Sequence, residues 1–242
     1  MIFGSQKAPV IRMSNVSKRY GKMEALRRLS LDVYENEFIF VSGPSGAGKS
    51  TMIKLLYGGE MASSGAIIVD GMNLARMSRK QLPALRRRLG VIFQDFKLIP
   101  TKTVYQNVAL VLEVGGLKPK EIRPWVMEAL EYVGIGDRAD ELPPVLSGGE
   151  KQRVAVARAM VGAPKIVLAD EPTGSLDPDS AARIFSLLKA VHRSGATVII
   201  ATHDQQMINH HNGRMIRLEK GRIAVPEIPE AAKNPNRPEE QE

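Results

Sequence analysis

The chain contains no cysteine. That absence excludes a disulfide framework, a thiolate metal site and a thiol nucleophile, and it is compatible with a reducing compartment. Long apolar runs are missing as well. The most apolar stretches, "FIFV" (Phe38 to Val41) and "VII" (Val198 to Ile200) with their flanks, fall far short of the roughly 20 residues that a membrane-spanning helix needs. The chain is therefore expected not to cross a bilayer. Its start, "MIFGSQKAPV", has neither a basic stretch followed by an apolar one nor a small-residue cleavage site. Export is not expected on that ground, and the cytosol is the default.

What is present is a chain of 242 residues with 43% hydrophobic content, enough to bury a core as one domain or as one domain with an inserted subdomain. The formal net charge is +8, yet the stretch from Pro226 to Glu242 holds five Glu against Lys233 and Arg237, so the body is more basic than the total. That acidic, proline-containing stretch has little to bury and is expected to be disordered. Basic residues cluster at "LRR" (Leu26 to Arg28), "SRK" (Ser78 to Lys80), "RRR" (Arg86 to Arg88) and "KPKEIR" (Lys118 to Arg123). Such clusters face nucleic acid, anionic lipid or an acidic partner, or are simply solvated helix faces.

Segments Val10 to Tyr20 and Leu26 to Gly43 alternate apolar and polar residues and read as strands, the second delivering the chain into a glycine-rich loop. Gly65 to Gly71 reads as a short strand, Ser78 to Leu89 as a basic helix and Gly90 to Asp95 as strand. From residue 96 to about 160 the pattern is helical, with helices over Thr103 to Gly116 and Trp125 to Gly134, the latter started or kinked by Pro124. Two continuous apolar strands follow, Lys165 to Asp170 and Ala196 to Asp204, suited to the middle of a sheet covered on both faces. A helix from about Asp179 to Arg193 lies between them, so a right-handed βαβ crossover is expected.

The glycine-rich loop, "GPSGAGKST", comprises Gly43, Pro44, Ser45, Gly46, Ala47, Gly48, Lys49, Ser50 and Thr51. Its glycines let backbone N–H groups converge on phosphates, Lys49 adds a point charge at the β/γ position, and the Ser50 hydroxyl can ligate Mg²⁺. The helix opening near Lys49 points its positive end at the same anions. A metal held with a nucleoside triphosphate usually also needs a carboxylate at a strand end. "KIVLADEP" supplies Asp170 for the metal and Glu171 as a general base toward the γ-phosphate. Gln94, after "VIF", can sense the metal or the γ-phosphate, and His203 sits at a strand's C-terminal edge, where ligands of such sheets bind.

"LSGGEKQRVAVARAM" opens with Ser147, Gly148, Gly149 and Glu150 on a second helix N-terminus suited to phosphate. One nucleotide does not require two such grips so far apart in one chain. In order and approximate spacing, "GPSGAGKS", Gln94, "LSGGE", "VLADEP", "GSLD" and His203 resemble the ATP-binding-cassette ATPases over residues 10 to 225. The resemblance implies an α/β P-loop NTPase fold. Its mainly parallel core sheet is flanked by helices, with an N-terminal antiparallel β subdomain and an inserted α-helical subdomain at about 96–160. It also implies a homodimer on ATP binding, in which Ser147 to Glu150 of one subunit close over ATP held by Gly43 to Thr51 of the other. Tyr20 would stack on adenine, Ser175 to Asp177 would communicate across the dimer, and His203 would contact the γ-phosphate.

Further residues, "FQDFKLIPTKTVYQNVALVL" (Phe93 to Leu112), "LLYGGEMASSG" and "TGSLDPDSA", are similar to the cell-division branch of that family. That likeness implies a bacterial ATPase on the cytoplasmic face of the plasma membrane. Its partner would be an FtsX-like integral membrane protein that regulates cell-wall hydrolases. Lipoprotein-release and macrolide-export ATPases are similar too and are the alternative. The basic clusters then face anionic membrane or an acidic coupling helix. A soluble cassette acting on nucleic acid would normally carry a second cassette or a long coiled-coil insertion, so no nucleic acid is expected.

Overall fold

The computed structural model describes residues 8–204, 207–208 and 213–224. The acidic stretch from Pro226 onward lies outside them. Among the described residues no helix is long and apolar enough to cross a membrane.

Strand β1 (Ile11–Tyr20) pairs antiparallel with β2 (Met23–Val33) and with β4 (Ser64–Val69), which pairs with the short β5 (Met72–Asn73) to complete a four-stranded sheet. Ile11, Met13 and Val16 point inward along β1, and the shift in parity after Met13 comes from a bulge. The alternating stretch from Leu26 to Gly43 does not run as one strand. It breaks at Tyr34 to Glu37, where Asn36 takes φ 60° and the Tyr34 N–H donates to Glu37 Oε2 at 2.7 Å. Strand β3 (Phe38–Ser42) then enters a second, six-stranded sheet of order β10-β9-β3-β8-β7-β6.

In that sheet β6 (Leu89–Ile92), β7 (Ile166–Asp170), β8 (Thr197–Ala201), β3 and β9 (Arg214–Glu219) run parallel, and β10 (Arg222–Ile223) turns back against β9. Every residue of β7 and β8 is buried, as strands covered on both faces require. Alternation assigns their side chains to two cores. Phe40, Val167, Ala169, Val198 and Ile200 face the helical side, where α3 (Val104–Gly115), α4 (Pro119–Val133), α5 (Gly148–Met160) and α6 (Pro178–Arg193) pack. Ile39, Val41, Ile166, Leu168, Ile199 and Ala201 face α1 (Lys49–Leu56) and the antiparallel sheet.

Two helices differ from expectation. The basic segment Ser78 to Leu89 yields only the five-residue α2 (Leu82–Arg86), in which Leu85 alone is buried. Its arginines are drawn into tertiary bonds instead: Arg86 donates to the Tyr57 and Gly58 carbonyls, and Arg88 pairs with Asp70 at 2.6 Å. Much of the "RRR" charge therefore serves the chain itself. Helix α4 starts at Pro119 rather than at Pro124, because Pro119 occupies the first turn, where a missing N–H costs nothing, and the Glu121 side chain accepts from the Lys118 N–H. Pro124 is tolerated inside the helix on its exposed face.

Candidate active site

The parallel register brings the C-terminal ends of β3, β6, β7 and β8 to one edge of the sheet, with Val41 beside Ala201, Asp170 beside Ala201 and Ile92 beside Ala169. The loop Gly43 to Gly48 leaves β3 at that edge. A Cβ on Gly43, at φ 142°, would collide with the Leu218 carbonyl, and one on Gly48, at φ 107°, would lie 2.7 Å from the Ala25 carbonyl oxygen. These two glycines let the loop thread between β2 and β9. Lys49 to Thr51 then form the first turn of α1, whose unpaired N–H groups face the loop.

Lys49 is buried, and its Nζ donates to the Gly43 carbonyl at 2.8 Å and the Pro44 carbonyl at 3.3 Å while lying 3.5 Å from Glu171 Oε1. The Ser50 hydroxyl donates to Asp170 Oδ1 at 2.9 Å. Burial pushes the Asp170 carboxyl above the usual carboxylate range; the Ser50 bond opposes this, and the charge of Glu171 adds to it. Glu171 is 8% exposed and holds φ 47°, a left-handed conformation rare outside glycine. Its N–H donates to the Ala201 carbonyl at 2.8 Å, its Oε1 lies 2.9 Å from His203 Nδ1, and its Oε2 accepts from the His203 N–H at 3.3 Å. Five sequence-selected residues from three strand ends thus meet: Lys49, Ser50, Asp170, Glu171 and His203.

This cluster presents a cation and a helix N-terminus to an anion, with a hydroxyl and a carboxylate side by side. A hydroxyl oxygen and one carboxylate suit Mg²⁺, which takes few protein oxygens and fills its shell with water and phosphate. Among the described residues there is no group of three or more His, Cys, Asp or Glu side chains that could hold a metal by itself.

The remaining candidates are placed around it. Gln94 is exposed, two residues past the end of β6. Tyr20, at the end of β1, is half-buried with Lys18 Nζ 4.8 Å from its ring centroid. Ser147 caps α5: its Oγ accepts from the Glu150 N–H at 3.3 Å, and Glu150 Oε2 accepts from the Ser147 N–H at 2.8 Å. A Cβ on Gly149 would lie 2.6 Å from Ser180 Oγ, so α5 begins hard against the first turn of α6. Asp177 caps α6 by accepting from the Ser180 N–H at 2.9 Å, and hydrogen bonding from the Ser180 side chain and backbone holds its carboxyl below the usual range. Helix α5 packs on α3, α4, α6 and β6, whereas α1 packs on β2, β7 and β8, so Ser147 to Glu150 and the glycine-rich loop belong to different layers. A concavity of about 1160 Å³ beside Arg12, Asp32, Arg214 and Arg217 contains none of these residues.

Sequence reasoning missed two polar residues of α5. Gln152, 1% exposed, donates through Nε2 to the Pro172 carbonyl at 2.7 Å, next to Glu171. Arg158 donates to the Phe96 and Lys97 carbonyls at 2.7 and 2.6 Å, just beyond Gln94. Nothing local in "EKQRVAVARAM" separates these from solvated polar residues of an amphipathic helix.

Residues 26–174 match the family model for the ABC transporter. The chain is similar to the cell division ATP-binding protein FtsE of Streptococcus pneumoniae serotype 2 (strain D39), with 46% identity over 88% of this chain and 94% of that protein. It is similar to FtsE of Bacillus subtilis (strain 168) at 44% identity over the same shares. Among solved structures it resembles the dimeric post-hydrolysis state of the ATP-binding cassette MJ0796 bound to ADP and Pi. That likeness has TM-score 0.82 and 34% identity over 89% of this chain and 97% of the other.

Proposed function

Because the chain belongs to the ABC transporter family and is an ATP hydrolase of that family, we propose that it is the FtsE-like ATPase subunit of a membrane-associated bacterial cell-division complex. The observation that carries the chemical part is the meeting of Lys49, Ser50, Asp170, Glu171 and His203 at one sheet edge. In this reading the loop Gly43 to Thr51 wraps the phosphates by its N–H groups, and Lys49 moves from the Gly43 carbonyl to the β/γ-phosphates. Tyr20 stacks on adenine. Ser50, Asp170 and Gln94 would hold Mg²⁺, which when bound neutralises charge on the β- and γ-phosphate oxygens. Glu171 Oε accepts a proton from the attacking water as its oxygen bonds to the γ-phosphorus and the bond to the β-phosphate oxygen breaks, giving ADP and phosphate. His203 holds Glu171 and the γ-phosphate in line.

The assembly part rests on the FtsE relatives, matched along almost their whole length, and on the dimeric state of the MJ0796 cassette. The domain at 10–225, with its helical subdomain at about 96–160, pairs head to tail with a second copy on binding ATP. Closure of the dimer moves an FtsX-like integral membrane partner at the cytoplasmic face of the plasma membrane, and that partner regulates peptidoglycan hydrolysis outside it. Exposed basic residues lie near anionic lipid. The test is affinity capture of the chain from detergent-solubilised membranes of its own cell, with mass spectrometry of the integral protein that accompanies it. An FtsX-like protein is expected; a lipoprotein-release or macrolide-export permease would overturn the cell-division reading and leave the ATPase chemistry in place.

A further inference from the structure

Two segments flanking the candidate site hold left-handed backbone without glycine: Glu171 at φ 47°, and Phe96 with Lys97 at φ 59° and 50°. Such conformations persist only where surrounding contacts enforce them. Both segments are tied to the same helix. Gln152 Nε2 donates at 2.7 Å to the carbonyl of Pro172, the residue that follows Glu171. The half-buried Arg158 guanidinium forks onto the Phe96 and Lys97 carbonyls, two and three residues past Gln94. The two anchors stand roughly 9 Å apart along one continuous helix, which is stiff over that length. Its N-terminal end is capped by Ser147 and lies against the first turn of α6.

We propose that α5 is a rigid beam that sets Glu171 and the Gln94 loop together, with Gln152 and Arg158 as positioning residues rather than catalytic ones. A displacement of the Ser147 end would then reach both loops of its own chain through those three hydrogen bonds. The proposal rests on the reading of Glu171 and Gln94 as parts of the hydrolytic site.

Gln152→Met tests it, since Met keeps the length and bulk of the side chain but cannot donate to Pro172. Misplacing a catalytic group by about 1 Å can cost up to about 100-fold in rate, so kcat for ATP should fall by about 10-fold or more. The KM for ATP should stay close to wild type, and the melting temperature should fall by only a few degrees, the cost of one buried acceptor, the Pro172 carbonyl, that loses its donor. An unchanged kcat overturns the proposal; so does a parallel fall in kcat, ATP affinity and melting temperature, which marks a packing role. For the second anchor, Arg158→Lys keeps the charge but not the fork. Hydrogen exchange should quicken at residues 94–99 while α5 stays protected, and equal protection of that loop in variant and wild type would overturn the Arg158 part. Glu171→Gln is assayed alongside: if it retains full turnover, the reading of the site fails, whatever Gln152→Met does.

Discussion

At the scale of single residues, the phosphate loop and the acidic pair were legible because their chemistry dictates spacing. Gly43 and Gly48 are required where the backbone passes the Leu218 and Ala25 carbonyls, and Lys49 follows as the first residue of α1. Gln152 and Arg158 were not legible, because a buried donor is defined by the distant carbonyl it meets. Asp170 carries a prediction of its own. Its carboxyl is pushed up chiefly by burial, so the folded chain holds that proton more tightly than the unfolded chain. Stability therefore falls as pH rises from the ordinary carboxylate range through the raised folded value, and the loss persists at neutral pH. Asp170→Asn removes the buried charge. Without nucleotide and with chelator present, it should melt above wild type at pH 7, with the advantage shrinking toward about pH 4, while ATP turnover drops. Calorimetry across that range decides; a variant that melts below wild type at pH 7 means that the ionised carboxylate supports the fold.

Among elements, the fully buried strands β7 and β8 and the capped helices α3 and α6 matched their sequence patterns, because burial and capping are local signals. The segment from Ser78 to Leu89 did not, since Arg86 and Arg88 find better partners in the 57–58 carbonyls and Asp70 than a longer helix would offer. Strands β9 and β10 went unread, because β9 is placed by pairing with β3, far away in the chain, and β10 by turning back on β9. Two capping boxes provide a matched comparison. Thr103 accepts from the Gln106 N–H at 3.2 Å, and Ser147 accepts from the Glu150 N–H at 3.3 Å. Replacing either cap with Ala should cost about 1 kcal/mol of stability. Only Ser147→Ala should also lower ATP turnover, leaving nucleotide binding by the isolated subunit intact. Denaturation and phosphate-release assays on both variants separate the cap from the second grip; equal turnover in the two would reduce Ser147 to a helix cap.

For the whole molecule, alternation along the parallel strands divides the interior into two cores, one under the antiparallel sheet and α1, the other under α3 to α6. The glycine-rich loop belongs to the first and the Ser147 end of α5 to the second. In the proposed head-to-tail dimer Ser147 to Glu150 meet a nucleotide held on the loop of another copy; the alternative is that the two layers of one chain shift. The first route is concentration-dependent and the second is not. Glu171→Gln keeps a neutral hydrogen-bonding side chain beside Lys49 and His203 but loses the proton acceptor, so turnover should fall by about 10² to 10⁴ with ATP affinity retained. Dimers closed over ATP should then accumulate. Light scattering at saturating ATP should report a doubled mass that reverts on nucleotide removal and tightens with protein concentration. A variant that binds ATP yet stays monomeric at every concentration would overturn the head-to-tail pairing and leave the shift of layers within one chain as the way the two grips meet.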